Sequence, residues 1–460
     1  MRSRFWILMV RFSRVGLLIF SFILLFCADG PVGGISSKIE AFIRPYADTG
    51  NFSGAVLVAR DGEVMFHRGF GMASVEHSVP VSEETRFFIA SVTKSFTATA
   101  ILLLEEEGRL SLEDPVARFL PDFPNGRRIT IRHLLTHTSG LPRIIFFPDY
   151  WECSLQHATA EEVVAYFRDA PLVAEPGGRS SYSNANYALL AHLIERISGM
   201  AYADFLRTRL WEPLGMADTG FLASMIELIP NLASGYEVVG ETDFKHAAYH
   251  DRSWGIGSGS IYSTPLDLFR WIQGVRGNRV LTPETTRRMF DTEYGCGWIM
   301  TERHGRQAIQ LTGWDNLGFS ADMLHFPEDS LTVVVLGNLD IISVTNEISD
   351  GVSAMALGEE HTPLALSDDP VDAALASKIV GTYRWGDDFY VPGATIQIVE
   401  EDGRLFAKQE NGLVGILRVS ELEFIHRMSW ARMAFSIDDD GEIREMLYYG
   451  RFKTVKQAAE

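Results

Sequence analysis

The pattern of apolar and polar positions divides the chain into two textures. Gly54 to Arg60 (GAVLVAR) is β-prone, and so is Glu63 to Gly69 after the pair Asp61-Gly62. Asp-Gly between two such runs predicts a hairpin. From Ser91 onward, Phe96, Ala100, Leu103, Leu104 and Glu107 follow the spacing of a buried helix that Gly108 can close. A second helix is expected from Thr264-Pro265-Leu266-Asp267. Thr264 suits the N-cap, Pro265 the first position, and Asp267 can return a hydrogen bond from the third. Leu331 to Gly337 (LTVVVLG) reads as a buried strand. Strands at both ends with helices between predict one mixed α/β (α+β) domain.

The texture changes beyond His361 to Val371, a stretch with Pro363, Ser367, Asp368, Asp369 and Pro370 that reads as a linker. Short β-prone runs follow at Ala394–Glu400, Arg404–Gln409, Leu413–Val419, Arg432–Ile437 and Glu442–Tyr449. Turns at Asp402-Gly403 and Asp438 to Gly441 separate them. Such spacing predicts a small antiparallel barrel or sandwich. The expected division is 1–34, 35–360, 361–371 and 372–460, with a separate core on each side of the linker. A length of 460 residues agrees with two domains.

The first segment reads as a targeting signal. Arg2, Arg4, Arg11 and Arg14 precede an apolar run from Val15 to Ala28. That length suits a signal-peptide core, or an N-terminal anchor if Phe5 to Val10 is added. Export is expected, to the periplasm or outside the cell, with membrane attachment through this segment as an option. Cys27 is a candidate lipidation site, although Phe26 stands where a small residue is usual. No cysteine pair has metal-ligand spacing. Cys153 and Cys296 could pair in an oxidising compartment, but two buried free thiols are the expected state. The net charge of −19 makes nucleic acid a poor partner. A small molecule or peptide is the expected partner.

Three short motifs carry candidate chemistry. In Ser91-Val92-Thr93-Lys94 the hydroxyl and the amine share one helix face. A helix N-terminus there favours negative charge developing on the oxygen. A lone S-x-x-K is weak evidence, but the chain has only seven lysines. Lys94 is the only one between Lys38 and Lys245, in a region where arginines are frequent. A site that needs only positive charge accepts arginine, whereas a site that exchanges a proton needs lysine. In Tyr182-Ser183-Asn184, a phenol beside an ammonium has its phenolate favoured and can act as a base. The Asn184 amide can donate to a carbonyl and accept from the lysine. In Leu311-Thr312-Gly313-Trp314, Gly313 permits close approach of backbone to a ligand. An N–H there can pair with that of Ser91 as an oxyanion hole. His133 and His137 lie four apart, but Leu134 stands where a zinc-protease helix has glutamate. Structural roles are expected for both, no metal is assigned, and no cofactor is called for.

Together these motifs resemble the serine β-lactamase and D-alanyl-D-alanine carboxypeptidase superfamily, most of all its class C-related branch. Four blocks in the family's order carry the likeness: FFIASVTKSFTATAILLLEEEGRLSLEDPV, ITIRHLLTHTSGLP, PGGRSSYSNANYALLAHLIERISG and GSGSIYSTPLDLFRW. It runs from about Glu40 to Glu360. The resemblance implies an antiparallel sheet flanked by helices, with a helical subdomain beside it and the active site between. It implies Ser91 as nucleophile, Lys94 as its proton partner and Tyr182 as general base. It further implies Asn184 at the acyl side chain, and the N–H groups of Ser91 and Trp314 as the oxyanion hole. The C-terminal segment resembles a lipocalin-like domain appended to several such hydrolases. One departure stands out: Leu311 occupies the position where the family usually has lysine or histidine. The expected function is a serine hydrolase acting through an acyl-enzyme on an ester, amide or D-amino-acid peptide bond. The alternative is a catalytically silent receptor for a peptide or cell-wall fragment.

Overall fold

The structure, a computed structural model, describes residues 31–458 apart from 223–225, 292–294 and 410–411. The expected targeting segment and Cys27 thus lie outside the described residues, except that Pro31 already opens helix α1 (Pro31–Asp48). Among the described residues no helix is long and apolar enough to cross a membrane.

The predicted hairpin forms strands β1 (Gly54–Arg60) and β2 (Glu63–Phe70), with Asp61 and Gly62 both at positive φ. This is the twist-matched turn that Asp-Gly favours. The helix after Ser91, α2, spans Thr93–Glu106, and Gly108 follows it at φ +69°. Next come α3 (Asn184–Ser198) and α4 (Pro265–Arg276). Thr264 caps α4 as expected by accepting from Asp267 N. The Asp267 carboxylate does not return the bond. It is buried and instead accepts from Asp218 N, Thr219 and Arg270. Strands β3 (Ile299–Arg303), β4 (Arg306–Asp315), β5 (Phe319–Phe326) and β6 (Leu331–Gly337) precede helix α5 (Val344–Ala356).

These six strands form one antiparallel sheet in the order β3-β4-β5-β6-β1-β2. Both ends of the domain therefore meet in its middle, with Gly54 opposite Gly337. Strand alternation gives the sheet two apolar faces. Ala55, Leu57, Ile309, Leu311, Val334 and Leu336 join the core with α2, α3 and α4. Val56, Val58, Val333 and Val335 face α1 and α5.

The C-terminal region is a closed barrel of eight antiparallel strands, β7 to β14. They are Gly381–Trp385, Thr395–Glu401, Arg404–Gln409, Gly412–Arg418, Glu423–His426, Ala431–Ile437, Ile443–Tyr448 and Phe452–Lys456. Closure comes from β7 pairing with β14, with Arg384 opposite Val455. Five of the strands match the predicted runs. The other three, β7, β11 and β14, have only four or five residues each.

The barrel has an apolar core of its own, but its outer wall also packs on the first domain. Val414, Leu417, Ile425 and Trp430 of the barrel wall belong to the same apolar cluster as α1 and the outer face of the sheet. Arg427, fully buried, crosses the junction. It donates to Asn51 Oδ1 (3.0 Å), Gly50 O (2.9 Å), Val239 O (2.7 Å) and Asp243 O (2.9 Å). Gly240 and the Leu413–Gly415 segment exchange backbone hydrogen bonds beside it. The expected linker, 361–371, lies along this junction, with Leu364 and Leu366 packed on the shared cluster.

Candidate active site

Ser91 sits in a single turn, Ala90–Val92, that feeds into α2. Ala90 holds φ at 45°, a region that costs an alanine free energy and that packing must enforce. One turn later Lys94 is only 4% exposed. Its Nζ donates to Ser91 Oγ at 3.0 Å and to Ser258 O at 2.8 Å. The helix is tied to the Gly255–Ser260 loop, because Thr97 Oγ1 donates to Gly257 O and Ile261 N donates to Thr93 Oγ1. Burial lowers the Lys94 pKa from its ordinary 10.5, and Tyr182 works against that shift. The neutral amine is thus brought within reach at a lower pH than in water.

Tyr182 meets the same oxygen from the other side, its hydroxyl 2.7 Å from Ser91 Oγ. The Lys94 ammonium lies 4.8 Å from the centre of the Tyr182 ring. Tyr182 immediately precedes Ser183, which caps α3 and donates to Pro142 O. Behind the ring stands His137, 4.6 Å away between centroids. His137 Nδ1 accepts from Ser183 N and from Asn186 Nδ2. Burial, and then the Lys94 charge, pushes the His137 pKa down to about 3, so the ring stays neutral and can accept. His133 closes the N-terminal cap of its own short helix, Ile131–Leu135, with Thr130. The two histidines of HLLTH thus have different structural duties.

Asn184 opens α3 and lines the cavity beside Ala90 and Ser91, its Oδ1 buried without a partner among the described residues. It makes no recorded hydrogen bond with Lys94. Thr312 accepts from Asn346 Nδ2 at 3.3 Å and lines the cavity over Lys94 and Tyr182. Gly313 is the closest approach of β4 to the serine turn. A Cβ there would lie 2.8 Å from Ser91 N and 2.5 Å from Ile89 O, so no side chain fits. β3 pairs with β4 only as far as Gln310, which leaves the β4 edge around Gly313 and Trp314 open beside Ser91. Trp314 is 37% exposed and donates its Nε1 to Asp340 Oδ1 at 2.6 Å.

Leu311 departs from the expectation of substrate contact. It is 2% exposed and belongs to the core between sheet and helices, and it lines neither cavity over Ser91. Period-two alternation explains this, since Thr312 and Leu311 must face opposite sides of β4.

Two cavities meet at Ser91. One, of 690 Å³, passes Lys94, Tyr182, Thr312 and Trp314. The other, of 570 Å³, is walled by Phe146, Tyr150, Trp151 and Trp254, with Arg252 and Asn184. Arg252 is buried, bonded to Asp315 at 2.6 Å, and packed 3.9 Å from the centre of the Phe88 ring. Its charge is therefore already matched. Tyr390, from the barrel, lines both cavities. The sequence reading did not single out Ser258, Arg252 or Tyr390. Ser258 lies in the quoted block GSGSIYSTPLDLFRW, but its part is played by a backbone carbonyl, which leaves no mark on residue type.

The Beta-lactamase family pattern matches residues 39–343. The chain belongs to the β-lactamase family. Similar members include Penicillin-binding protein 4* of Bacillus subtilis (strain 168), 31% identical over 454 residues, spanning 89% of this chain and 96% of that one. A putative penicillin-binding protein of the same strain, PbpX, is 32% identical and spans 68% of this chain and 77% of its own. Among solved structures, the octameric penicillin-binding protein homologue from Pyrococcus abyssi superposes with a TM-score of 0.64 at 27% identity, covering 91% of this chain and 99% of that one. The D-amino acid amidase from Ochrobactrum anthropi SV3 superposes at 0.60 with 25% identity, covering 69% and 99%. The β-lactamase-family fold is thus shared with these proteins, and the closed C-terminal barrel fits the lipocalin-like domain.

Proposed function

We propose that this family member is a serine hydrolase that forms an acyl-enzyme at Ser91. The observation that carries the reading is the three-way contact among Ser91 Oγ, Lys94 Nζ and the Tyr182 hydroxyl. Ser91 Oγ attacks the substrate carbonyl carbon while its proton passes to Tyr182, with the neutral amine of Lys94 as the proton partner of the pair. The oxyanion is met by the N–H groups of Ser91 and Trp314, at the end of α2 where positive potential gathers. Collapse breaks the bond to the leaving oxygen or nitrogen, which takes the proton from Tyr182. Water then attacks the acyl-enzyme with Tyr182 as base again, releasing the acid and restoring Ser91. Asn184 accepts from an acyl-side N–H in this reading, which its Oδ1, without a partner among the described residues, supports.

The substrate class is an ester, amide or D-amino-acid peptide bond flanked by uncharged groups. Support comes from the largely aromatic wall of the cavity beside Asn184 and from Asp315, which matches the charge of Arg252. The apolar run from Val15 to Ala28 supports export of the enzyme. A fluorophosphonate reagent tests the central claim: it should label the native protein on Ser91 and leave Ser91→Ala unlabelled. An unlabelled native protein would instead favour a silent receptor for a peptide or cell-wall fragment.

A further inference from the structure

Over most of its length the barrel is filled by its own side chains, among them Tyr383, Ile398, Leu405, Phe424, Met433 and Met446. One end is not. A cavity of 510 Å³ opens there, bounded by Trp385, Phe389, Ile396 and Tyr448, and its far wall is Trp314 and Ile342 of the hydrolase domain. Trp314, Ile342 and Tyr390 line this cavity and both cavities over Ser91. The three spaces therefore adjoin at one set of side chains.

The wall is mostly aromatic and aliphatic, yet it holds two buried nitrogens without a partner among the described residues, Trp385 Nε1 and His426 Nε2. Trp385 is 8% and His426 3% exposed. His426 Nδ1 is engaged by Tyr448 OH at 2.8 Å and Ser429 Oγ at 2.9 Å. With Tyr448 donating to Nδ1, the ring hydrogen sits on Nε2, and both unpartnered groups are donors. A buried donor without an acceptor is costly, so an apolar site with two of them suits a ligand that brings a carbonyl. Burial favours the neutral form of His426, so neither donor brings a charge.

We infer that the open end of the barrel is a second binding site, which takes the distal uncharged part of the substrate, an aryl or alkyl group with a carbonyl acceptor, while the reacting bond lies at Ser91. The link to catalysis rests on the hydrolase reading above; the cavity itself does not. Phe389 stacks on Trp385 with ring centres 4.3 Å apart and lines the barrel cavity alone of the three. It is therefore the position to change.

Two measurements on the full-length protein test this. In Ser91→Ala, the neutral naphthyl ketone prodan should bind saturably with a blue-shifted emission, and Phe389→Asp should weaken binding at least tenfold. Phe389→Ala, a milder change, should shift binding the same way by less. Non-saturable emission, or affinity indifferent to Phe389, would overturn the site. Second, a dodecyl fluorophosphonate should label Ser91 at least tenfold faster than an ethyl one, and Phe389→Asp should remove that advantage while leaving the ethyl rate in place. Equal rates in the native protein, or equal losses in the variant, would overturn the link to the substrate. If neither reagent labels Ser91, the hydrolase reading fails and takes this link with it, while the prodan titration still decides whether the cavity binds.

Discussion

The two walls that enclose Ser91 are built on opposite plans. The inner wall is anchored to helices: Lys94, buried, projects from α2, held by a backbone carbonyl, and Tyr182, open to the cavity, precedes the capped start of α3 with buried His137 behind it. The outer wall is exposed and irregular. Phe146 is 59%, Tyr390 63% and Trp314 37% exposed, and they come from three distant segments of the chain. Proton transfer needs groups fixed to within tenths of an ångström, which buried helices provide. Selecting a substrate needs surface that can vary without disturbing the helices beneath, and loops provide that.

The sharpest break in this comparison falls on the inner wall. Lys94→Arg keeps the charge but cannot give up the proton, so acylation should fall about a thousandfold or more, measured as fluorophosphonate labelling rate. The native rate should rise with pH as the Lys94 ammonium deprotonates. Because burial lowers that pKa, the plateau should arrive below 10.5, and the rising limb should vanish in the arginine variant. An unaltered limb would remove Lys94 from the proton path.

Next in size is the junction between sheet and barrel. Arg427→Leu leaves the carbonyls of Gly50, Val239 and Asp243 without their donor in a buried place. About 3 kcal/mol of stability should be lost, from several acceptors at roughly 1 kcal/mol or more each. Thermal unfolding followed by circular dichroism measures it. A melting temperature within a degree of native would show that water replaces the arginine freely.

Tyr182→Phe should come third, with a loss of about a hundredfold or more in kcat/KM, the range for removing a general base. Because the ring keeps its packing on His137, the melting temperature should hold. The smallest effect belongs to the outer wall. Between matched esters, one neutral and one bearing a carboxylate near the scissile bond, the neutral one should be preferred by about tenfold, because a carboxylate buried without a fixed cation is costly. A native preference for the carboxylate would point to Arg143, which lines the aromatic cavity and stacks over Phe146.

The inner wall was also the legible one. Serine and lysine three apart must share a helix face, and that constraint holds before any tertiary contact forms. The hairpin at Asp61-Gly62, the strand Leu331–Gly337 and the cap at Thr264 are local for the same reason. The family likeness placed Tyr182 and Gly313 beside Ser91. What escaped was whatever depends on facing direction or on distant segments. Leu311 looked like a substrate contact because its neighbours Thr312 to Trp314 line the cavity, and the strand turns it to the core. Three barrel strands of four or five residues are too short to stand out as alternation.

By itself the sequence determined which residues are candidates for the chemistry, because S-x-x-K on a helix, a scarce lysine and a tyrosine before a helix cap are properties of near neighbours. It also determined that a β-rich region follows a mixed α/β one. Only the tertiary structure decided the ionisation of Lys94, since burial lowers its pKa. Only the tertiary structure closed eight strands into a barrel, merged the barrel wall with the core under α1, and set Tyr390 over the site. These are contacts between segments hundreds of residues apart. Their free energy comes from apolar surface removed from water and from hydrogen bonds to buried backbone, neither of which local spacing can report.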